Sequence, residues 1–484
     1  MRTRVVLTIP LWCLAAAVAA SQTTIPGITA PSSPTQQTPA ITPAQTPTID
    51  NFNGSANVDK PVPEVIQLSI LAAINRGLKH NLGLLLSQEQ SAAARAQYRR
   101  NLSVLLPNVN AGVSDSVNQI NLAAFGIPTP AGLASPVVGP FGLFQTQASM
   151  SATILDFSAM NRVRAAAENQ KTASFSLRDA REIVVLAVGN QYWLSMASAA
   201  RLETAKAQLA TAQAIYQQAL DRKKAGVSPG IDVLRAQVQM QSQQQRLLAA
   251  QNQVAQQRMS LARIVGLPVS QAFELTDKVP YAPLPELNLE ESLARAYEIR
   301  PEYLAAASRV RSAEIEVKAA RGEGLPSFQI NGQYGVNGPT PLSSEQVYGL
   351  SGGLNIPIFQ GGKVKADVAV AQTRLREAQM QLDDLHNRVE LEIRSALLDV
   401  RTSNEQVSVA RQSVGLAAEQ LKEAQDRFRA GASDSLEVVQ AQEAVANANE
   451  TLIQALYLNN VAKLSLAHAL GVAEQQTINF LGGK

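Results

Sequence analysis

The feature that most constrains the fold is an uninterrupted helical repeat between Val364 and Phe428. The stretch contains no proline, and its apolar or small residues recur three and four positions apart. These residues are Val364, Val368, Ala371, Leu375, Ala378, Leu382, Leu385, Val389, Ile393, Ala396, Val400, Val407, Ala410, Val414, Ala417, Leu421, Ala424 and Phe428. The spacing is typical of a coiled coil, with one stutter at 385–393 that locally unwinds it. Since a helix of this length spans roughly 100 Å, we expect an elongated protein of long, mutually packed helices.

A short apolar leader opens the chain. Two arginines precede an apolar run from Val5 to Ala19, and Ala20 and Ser21 are the small residues of a cleavage site. This arrangement predicts a secretory signal peptide over 1–20. A membrane anchor is the weaker alternative, because the run is shorter than about 18 residues. The only cysteine, Cys13, lies inside the leader, so we expect a mature chain without a disulfide.

The remaining composition excludes several kinds of protein. Residues 21–63 are rich in Pro, Thr and Ser without a hydrophobic period, which predicts a disordered tail. The formal net charge of +3 gives no reason to expect nucleic acid. His80, His386 and His468 lie far apart without ligand spacing, and the glycines of 361–363 lack the rest of a phosphate-binding loop. We therefore expect no enzyme, no cofactor and no metal site.

The chain also contains an internal duplication. Leu106-Pro107 recurs as Leu325-Pro326. The segment Ala225-Gly226-Val227-Ser228 recurs as Ala430-Gly431-Ala432-Ser433. Because turn residues as well as heptads recur in the same order, we predict two homologous repeats. We assign repeat one to 64–275 and repeat two to 286–475, followed by a C-terminal tail over 476–484.

Each repeat is predicted to contain a short helix, two strands, a long helix, a tight turn and a second short helix. The predicted helices are 66–101, 160–224 and 231–265 in repeat one, and 288–321, 363–429 and 436–470 in repeat two. The predicted strands are 108–118 and 144–156, then 327–337 and 347–358. The extra residues of repeat one fall mostly in the loop between Ile120 and Phe144.

The strands alternate between apolar and uncharged polar residues. Phe328, Ile330 and Tyr334 alternate with Gln329, Asn331 and Gln333. Strands of about ten residues with this alternation are typical of outer-membrane barrels, with the apolar face towards lipid. We therefore predict that Gln329, Asn331 and Gln333 face an aqueous lumen; a soluble β-sandwich edge is the alternative.

The number of strands has a consequence for assembly. Barrels of this kind begin at about eight strands, and open sheet edges are not tolerated in lipid. A chain with four predicted strands must therefore share its barrel with other copies. The strand count leaves dimer and trimer open.

With these features together, the chain resembles the TolC-like outer membrane efflux protein family over roughly Glu64 to Gly471. The resemblance rests on Leu106-Pro107, Leu325-Pro326, the strand exit Ile358-Phe359-Gln360-Gly361-Gly362 and the two glycine turns. It implies a mainly α fold with membrane β-strands. Three copies would share one outer-membrane β-barrel, continuous with a periplasmic coiled-coil α-barrel.

The resemblance also implies function and partners. Family members act as passive exit ducts of tripartite efflux pumps. They dock a periplasmic adaptor (membrane fusion) protein and serve an inner-membrane transporter of the RND or ABC class. The expected location is the outer membrane, with the α-helical part in the periplasm. The alternatives are a type I protein secretion duct and a non-conducting coiled-coil spacer of the envelope.

The family's functional positions match the two turns. The resemblance implies that the adaptor docks at Gly226, Ser228, Pro229, Gly230, Gly431, Ala432 and Ser433. Asp232, Glu437 and Gln440 are the candidates for a pore constriction, where carboxylates from three chains would select cations or hold a gate shut. The alternative for Asp232 or Glu437 is a helix-start carboxylate that interacts with the helix dipole. An aromatic position that is commonly tyrosine in the family is Phe428 here, without a hydroxyl to form a latch.

Overall fold

The computed structural model describes residues 52–56, 60–126, 135–227, 229–277, 281, 284, 287–433 and 435–481. They fall into two units: one takes in 110–148 and 333–349, and the other takes in the rest of the described chain. The predicted signal peptide and most of the predicted tail over 21–63 lie outside the described residues.

The main sheet has four strands. They are β2 (Asn108–Asn121), β3 (Val137–Leu155), β5 (Ser327–Gly338) and β6 (Glu345–Asn355), in the order β2-β3-β5-β6. β3 begins seven residues before the predicted start at 144, so part of the predicted Ile120–Phe144 loop is strand. β6 ends three residues before the predicted 358, because Pro357 has no N–H to donate to a ladder. β2 and β6 are the two edges of the sheet.

The first helix of each repeat, predicted as continuous over 66–101 and 288–321, is broken into two helices. Repeat one has α1 (Ile70–His80) and α2 (Leu82–Ser103), and repeat two has α5 (Leu289–Ile299) and α6 (Pro301–Gly322). Asn81 has extended backbone and accepts hydrogen bonds at its Oδ1 from the N–H groups of Gly83 and Leu84, so it caps α2. Arg300 precedes Pro301, and a residue before proline is disfavoured from helix.

Residues 66–68, also predicted to be helical, form a strand instead. β1 (Ile66–Leu68) pairs in parallel with β4 (Phe273–Leu275) at the end of repeat one. Asp277, just beyond β4 in the linker between the repeats, accepts hydrogen bonds at its carboxylate from the Ile70 N–H and the Tyr192 hydroxyl. The linker is thereby tied to the start of α1.

The long helices match their predicted positions closely. They are α3 (Phe157–Lys224) and α7 (Lys363–Arg429), each followed by an antiparallel partner, α4 (Gly230–Ile264) or α8 (Ser435–Ala469). The predicted heptad face of α7 is confirmed, since Leu385, Val389, Ile393, Val400 and Val407 are buried.

The helices lie side by side in one order. α3 packs against α2 and α4 on one flank and against α6 and α8 on the other, while α7 packs against α5, α6 and α8. The order is therefore α2 and α4, then α3, then α6 and α8, then α7, and α4 also contacts α8 directly. The main core lies where α1, α3, α7 and α8 meet. A stretch of α3 is apolar enough in length and composition to cross a membrane, but 56% of it is buried in this fold.

Both predicted tails contain packed residues. Phe52 is buried against α2, the Asn81 side-chain amide donates to the Phe52 carbonyl (2.7 Å), and the Leu82 N–H donates to the Gly54 carbonyl (3.0 Å). The prediction of disorder is therefore wrong at 52–56, because a single buried aromatic, two backbone–backbone hydrogen bonds and the Asn81 side chain hold this short piece. At the other end, α9 (Ala473–Leu481) is helical where a tail was predicted from 476, and it buries Phe480.

Candidate functional site at the helix tips

The turn between α3 and α4 is built around Gly226. The Gly226 N–H donates to the Lys223 carbonyl (3.0 Å) and the Val227 N–H donates to the Arg222 carbonyl (3.1 Å). This bonding pattern requires a left-handed residue after the helix, and Gly226 has φ +74°. Pro229, whose ring fixes φ near its value of −66°, directly precedes α4. Ser228 lies outside the described residues.

The turn between α7 and α8 repeats this geometry. The Gly431 N–H donates to the Phe428 carbonyl (3.1 Å), the Ala432 N–H donates to the Arg427 carbonyl (2.9 Å), and Gly431 has φ +74°. A Cβ added to Gly226 or Gly431 would meet no atom within 4 Å. Both glycines are therefore required for the backbone conformation, not for space. Ala432 is exposed and Ser433 is half-buried.

The candidate constriction residues differ in exposure. Asp232 is buried in the first turn of α4 and lies 3.9 Å from Arg235, measured from Oδ1 to Nη1. Glu437 is partly exposed and forms an ion pair with Arg427 of α7 (2.9 Å), and Gln440 is exposed. Glu437 and Gln440 are three positions apart, so they share one face of α8.

Beneath the turns, a small core joins the two helix pairs. Its buried members come from α3, α4, α7 and α8: Ile215, Ala219, Val233, Ala236, Ala424, Phe428, Val438 and Ala441. The Arg222 side chain donates to the Phe428 carbonyl, and its guanidinium carbon lies 4.4 Å from the centre of the Phe428 ring. Phe428 thus contacts its neighbour through its ring and carbonyl, without needing the hydroxyl of a tyrosine.

A second cross-link lies further along the same helices. The Glu443 carboxylate on α8 accepts hydrogen bonds from Gln239 Nε2 (2.7 Å) and Arg246 Nη2 (3.0 Å) of α4. Burial acts to raise the pKa of Glu443, but these two bonds outweigh it and hold the pKa below its usual range. The sequence analysis missed this link, because such a contact depends on which helices are neighbours.

The strands keep their predicted alternation. A Cβ at Gly352 would lie 3.1 Å from the Phe328 ring, and one at Gly332 would lie 3.7 Å from Leu350. On the opposite face, Gly349 lies beside the Gln333 side chain. Gln329, Asn331 and Gln333 are all exposed, as is Tyr334 on the apolar face. β5 and β6 therefore share one mainly apolar face and one mainly uncharged polar face.

The histidines lie apart. His80 is buried at the end of α1, His386 stacks on the Tyr297 ring with 4.3 Å between ring centres, and His468 lies near the end of α8. Within the described ranges there is no group of three or more His, Cys, Asp or Glu side chains able to hold a metal ion.

Known proteins share this architecture. The family model described as outer membrane efflux protein matches residues 73–267 and 292–472. The pyoverdine export outer membrane protein OpmQ of Pseudomonas putida is 26% identical over 420 residues, covering 84% of this chain and 86% of that protein. The probable efflux pump outer membrane protein TtgC of the same species is 24% identical, covering 82% of each. The structure of the Campylobacter jejuni CmeC outer membrane channel aligns with a TM-score of 0.74 and 18% identity over 89% of this chain and 94% of that one.

Proposed function

The chain belongs to the outer membrane efflux protein family, and from this premise we propose that three copies close one export duct that docks its partners at the helix tips. As a member of this family it is an outer membrane protein with its α-helical part in the periplasm.

The observation that carries the proposal is that α7 has two apolar faces. One is the buried heptad face. The other consists of Met380, Leu391, Leu398, Val409 and Leu416, whose exposed fractions lie between 62% and 68%. Their spacing alternates between eleven and seven residues, which is close to three and two whole helical turns.

The two faces lie on nearly opposite sides of the helix. Leu391 is two residues from Val389, or about 200° around the helix axis. A helix in a closed ring has a neighbour on each side, so it needs an apolar face on each side. Among the described residues, α7 packs against α5, α6 and α8, and its second apolar face stays exposed.

The opposite flank of the chain has a matching exposed face. On α4, Val238, Leu248 and Met259 are exposed, while Val233, Ala236, Val254 and Leu261 are buried against the chain's own core. Contact of the exposed α7 face of one copy with the exposed α4 face of the next is a head-to-tail interface. Interfaces of this kind form rings when the rotation between successive copies closes on itself.

The sheet leads to the same conclusion. Its edge strands β2 and β6 have no partner on their outer sides within the described residues, and unpaired edges are not tolerated in lipid. Two copies would supply eight strands and three copies would supply twelve. The family resemblance favours three.

The exposed face of α7 offers a direct test of assembly. Val409→Glu places a carboxylate on this face, and Ser408→Glu places one at the adjacent exposed position outside it. Both sites are exposed in a single chain, so both variants should fold. Blue native electrophoresis in detergent should show a largely dissociated Val409→Glu protein and an intact Ser408→Glu assembly. Equal migration of the two would contradict the proposed interface.

For the membrane strands, we propose that Gln329, Asn331 and Gln333 line the lumen. Strand side chains alternate faces, so Asn331→Cys and Ile330→Cys should differ in access to a water-soluble thiol reagent. In outer membranes, Asn331→Cys should react and Ile330→Cys should be protected. Equal labelling would overturn the assignment.

At the tips, we propose that Gly226, Ser228, Pro229, Gly230, Gly431, Ala432 and Ser433 receive the adaptor. Glu437 and Gln440 line the constriction, with Asp232 behind them at the start of α4. Two observations support this: the glycine turns present exposed backbone, and Glu437 is partly exposed at a helix start. The inner-membrane transporter, of the RND or ABC class, selects the exported substrate; these tip residues do not.

Planar-bilayer recordings test both the duct and its constriction. The wild-type assembly should conduct, and Glu437→Gln should reduce its cation selectivity, because a ring of carboxylates favours cations. Glu419→Gln is the control, since Glu419 is an exposed α7 residue outside the tip. No conductance in any preparation would favour the envelope spacer. Unchanged cation selectivity of Glu437→Gln would mean that Glu437 does not line the constriction.

A further inference from the structure

Away from the tips, a polar cavity lies between the two repeats. It has a volume of about 420 Å³ and is bounded by α2 and α3 of repeat one and α6 of repeat two, with Phe52 in its wall. Most of its polar lining is uncharged: Ser87, Gln90, Asn169, Thr172 and Ser176. Its charged lining consists of Asp179 from α3 and Glu302 and Arg309 from α6.

Asp179 has neither a hydrogen-bond donor nor an ion-pair partner in the part of the chain that the structure describes. Glu302, by contrast, is paired with Arg300 (3.0 Å) and with Arg388 (2.9 Å). A carboxylate without a donor is costly at a partly buried site. A protonated carboxyl group, by contrast, is neutral and has an O–H that can donate a hydrogen bond.

The charged groups around Asp179 come from several elements of both repeats. Burial is the main cause that raises the pKa of Asp179 to about 7, and the charge of Glu302 is the next. Glu182 on α3 and Glu392 on α7 act in the same direction, while Arg300 opposes them. Arg309 of α6 is exposed on the cavity wall. His468 of α8 lies near Arg300 and Glu392.

We propose that Asp179 is a proton-operated switch of the contact between the two repeats. Glu302 is the carboxylate that α6 contributes to the same cavity wall, and in the protonated state the Asp179 carboxyl group donates to it. In the ionised state the two like charges repel each other across the α3–α6 contact. Acidification therefore tightens the junction between the repeats, and alkalinisation loosens it.

The sign follows from proton linkage. Between the ordinary aspartate range and about pH 7, the folded chain holds a proton on Asp179 that the unfolded chain has released. Stability therefore falls as the pH rises through this window and is constant above it. Asp179→Asn keeps the shape of the protonated group and removes the titration.

The duplication provides a matched control. Asp384 of α7 lies as far before Gly431 as Asp179 lies before Gly226. It also lines a cavity on α6 with Glu302 and Arg309, but it is exposed. Asp384→Asn removes the same charge at the equivalent position of repeat two, away from the junction with α3.

The experiment is thermal unfolding of the full-length protein in detergent at pH 5, 6, 7 and 8. Because other groups also titrate, the measured quantity is the Tm of each variant minus that of the wild type. For Asp179→Asn this difference should rise by about 3 °C from pH 5 to pH 8, as expected for one linked proton in a chain of this size. For Asp384→Asn it should not change with pH.

Glu302→Gln keeps the test decisive if Asp179→Asn does not fold. Without the Glu302 charge, Asp179 should ionise at a lower pH, so the fall in Tm should occur at a lower pH than in the wild type. A difference for Asp179→Asn that is independent of pH, the same slope for Asp384→Asn, or an unmoved transition in Glu302→Gln would each overturn the switch. The test reads only stability, so its failure would leave the proposed duct untouched.

Discussion

The two repeats of this chain have the same elements but use equivalent positions for different contacts. Val238 of α4 and Glu443 of α8 lie equally far beyond the glycines of their turns. Val238 is exposed, whereas Glu443 binds Gln239 and Arg246 within the chain. The difference follows from position, because α4 is at the flank of the helix array and α8 is inside it. Duplication thus preserves the turns and the heptads, while the outer faces diverge according to what covers them.

The breaks in the short helices show the same divergence. Asn81 and Arg300 lie equally far before their Leu-Pro pairs. Asn81 is uncharged, caps α2 and holds the Phe52 carbonyl. Arg300 is buried and bonds to Glu302, to Glu392 (2.5 Å) and to the Ala469 carbonyl (3.4 Å). The helix break is therefore stabilised by a side-chain amide in repeat one and by an ion-pair network in repeat two.

Arg300→Ala should have the largest effect on stability. It removes a buried cation from two carboxylates, and breaking such a network costs about 3 kcal/mol. Thermal unfolding should show the loss as a clearly lower Tm. Arg388→Ala is the control, because Arg388 is an exposed partner of Glu302 and surface pairs contribute about 0.5 kcal/mol. Equal decreases of Tm in the two variants would contradict the larger contribution that we assign to the buried Arg300 network.

Asn81→Ala should be the next most destabilising change. It removes the cap of α2, for about 1 kcal/mol, and leaves the Phe52 carbonyl without its donor. Limited proteolysis should then cut near 52–56 faster than in the wild type. Asn101→Ala, near the other end of α2, is the control. If proteolysis at 52–56 is unchanged in Asn81→Ala, that segment is not held by Asn81.

Glu443→Gln should have a smaller effect, of about 0.5–1 kcal/mol. The pKa of Glu443 is lowered in the folded chain, so its contribution is fully present above the ordinary glutamate pKa and is lost as the pH falls from there through the lower pKa of the folded chain. The difference in Tm between wild type and variant should therefore shrink on acidification. Val238→Gln, at the equivalent position, should give a difference that does not depend on pH. A shrinking difference for both would contradict the assigned contrast.

The sequence predicted the elements whose cause is periodic or local. The long helices follow from their heptads, and the turns at Gly226 and Gly431 follow from residues that favour left-handed backbone. The break at Arg300 also had a local signal, the following Pro301. The second apolar face of α7 was visible as Met380, Leu391, Leu398, Val409 and Leu416, but a heptad search selects only one face.

The remaining features depend on tertiary neighbours. The pairing of β1 with β4 involves three residues on each side, which is too short for a periodic signal. The burial of Phe52, the bonds of Glu443 and the environment of Asp179 each depend on which helices are adjacent. None of these contacts is encoded in the spacing of residues along one element.

Native mass spectrometry of the wild-type protein in detergent tests the central claim, that the exposed faces of α4 and α7 join copies into a closed ring of three. We expect one dominant species with three times the mass of the mature chain. Val409→Glu should release single chains, while Ser408→Glu should not. A stable monomer or dimer of the wild-type protein would contradict the closed ring of three.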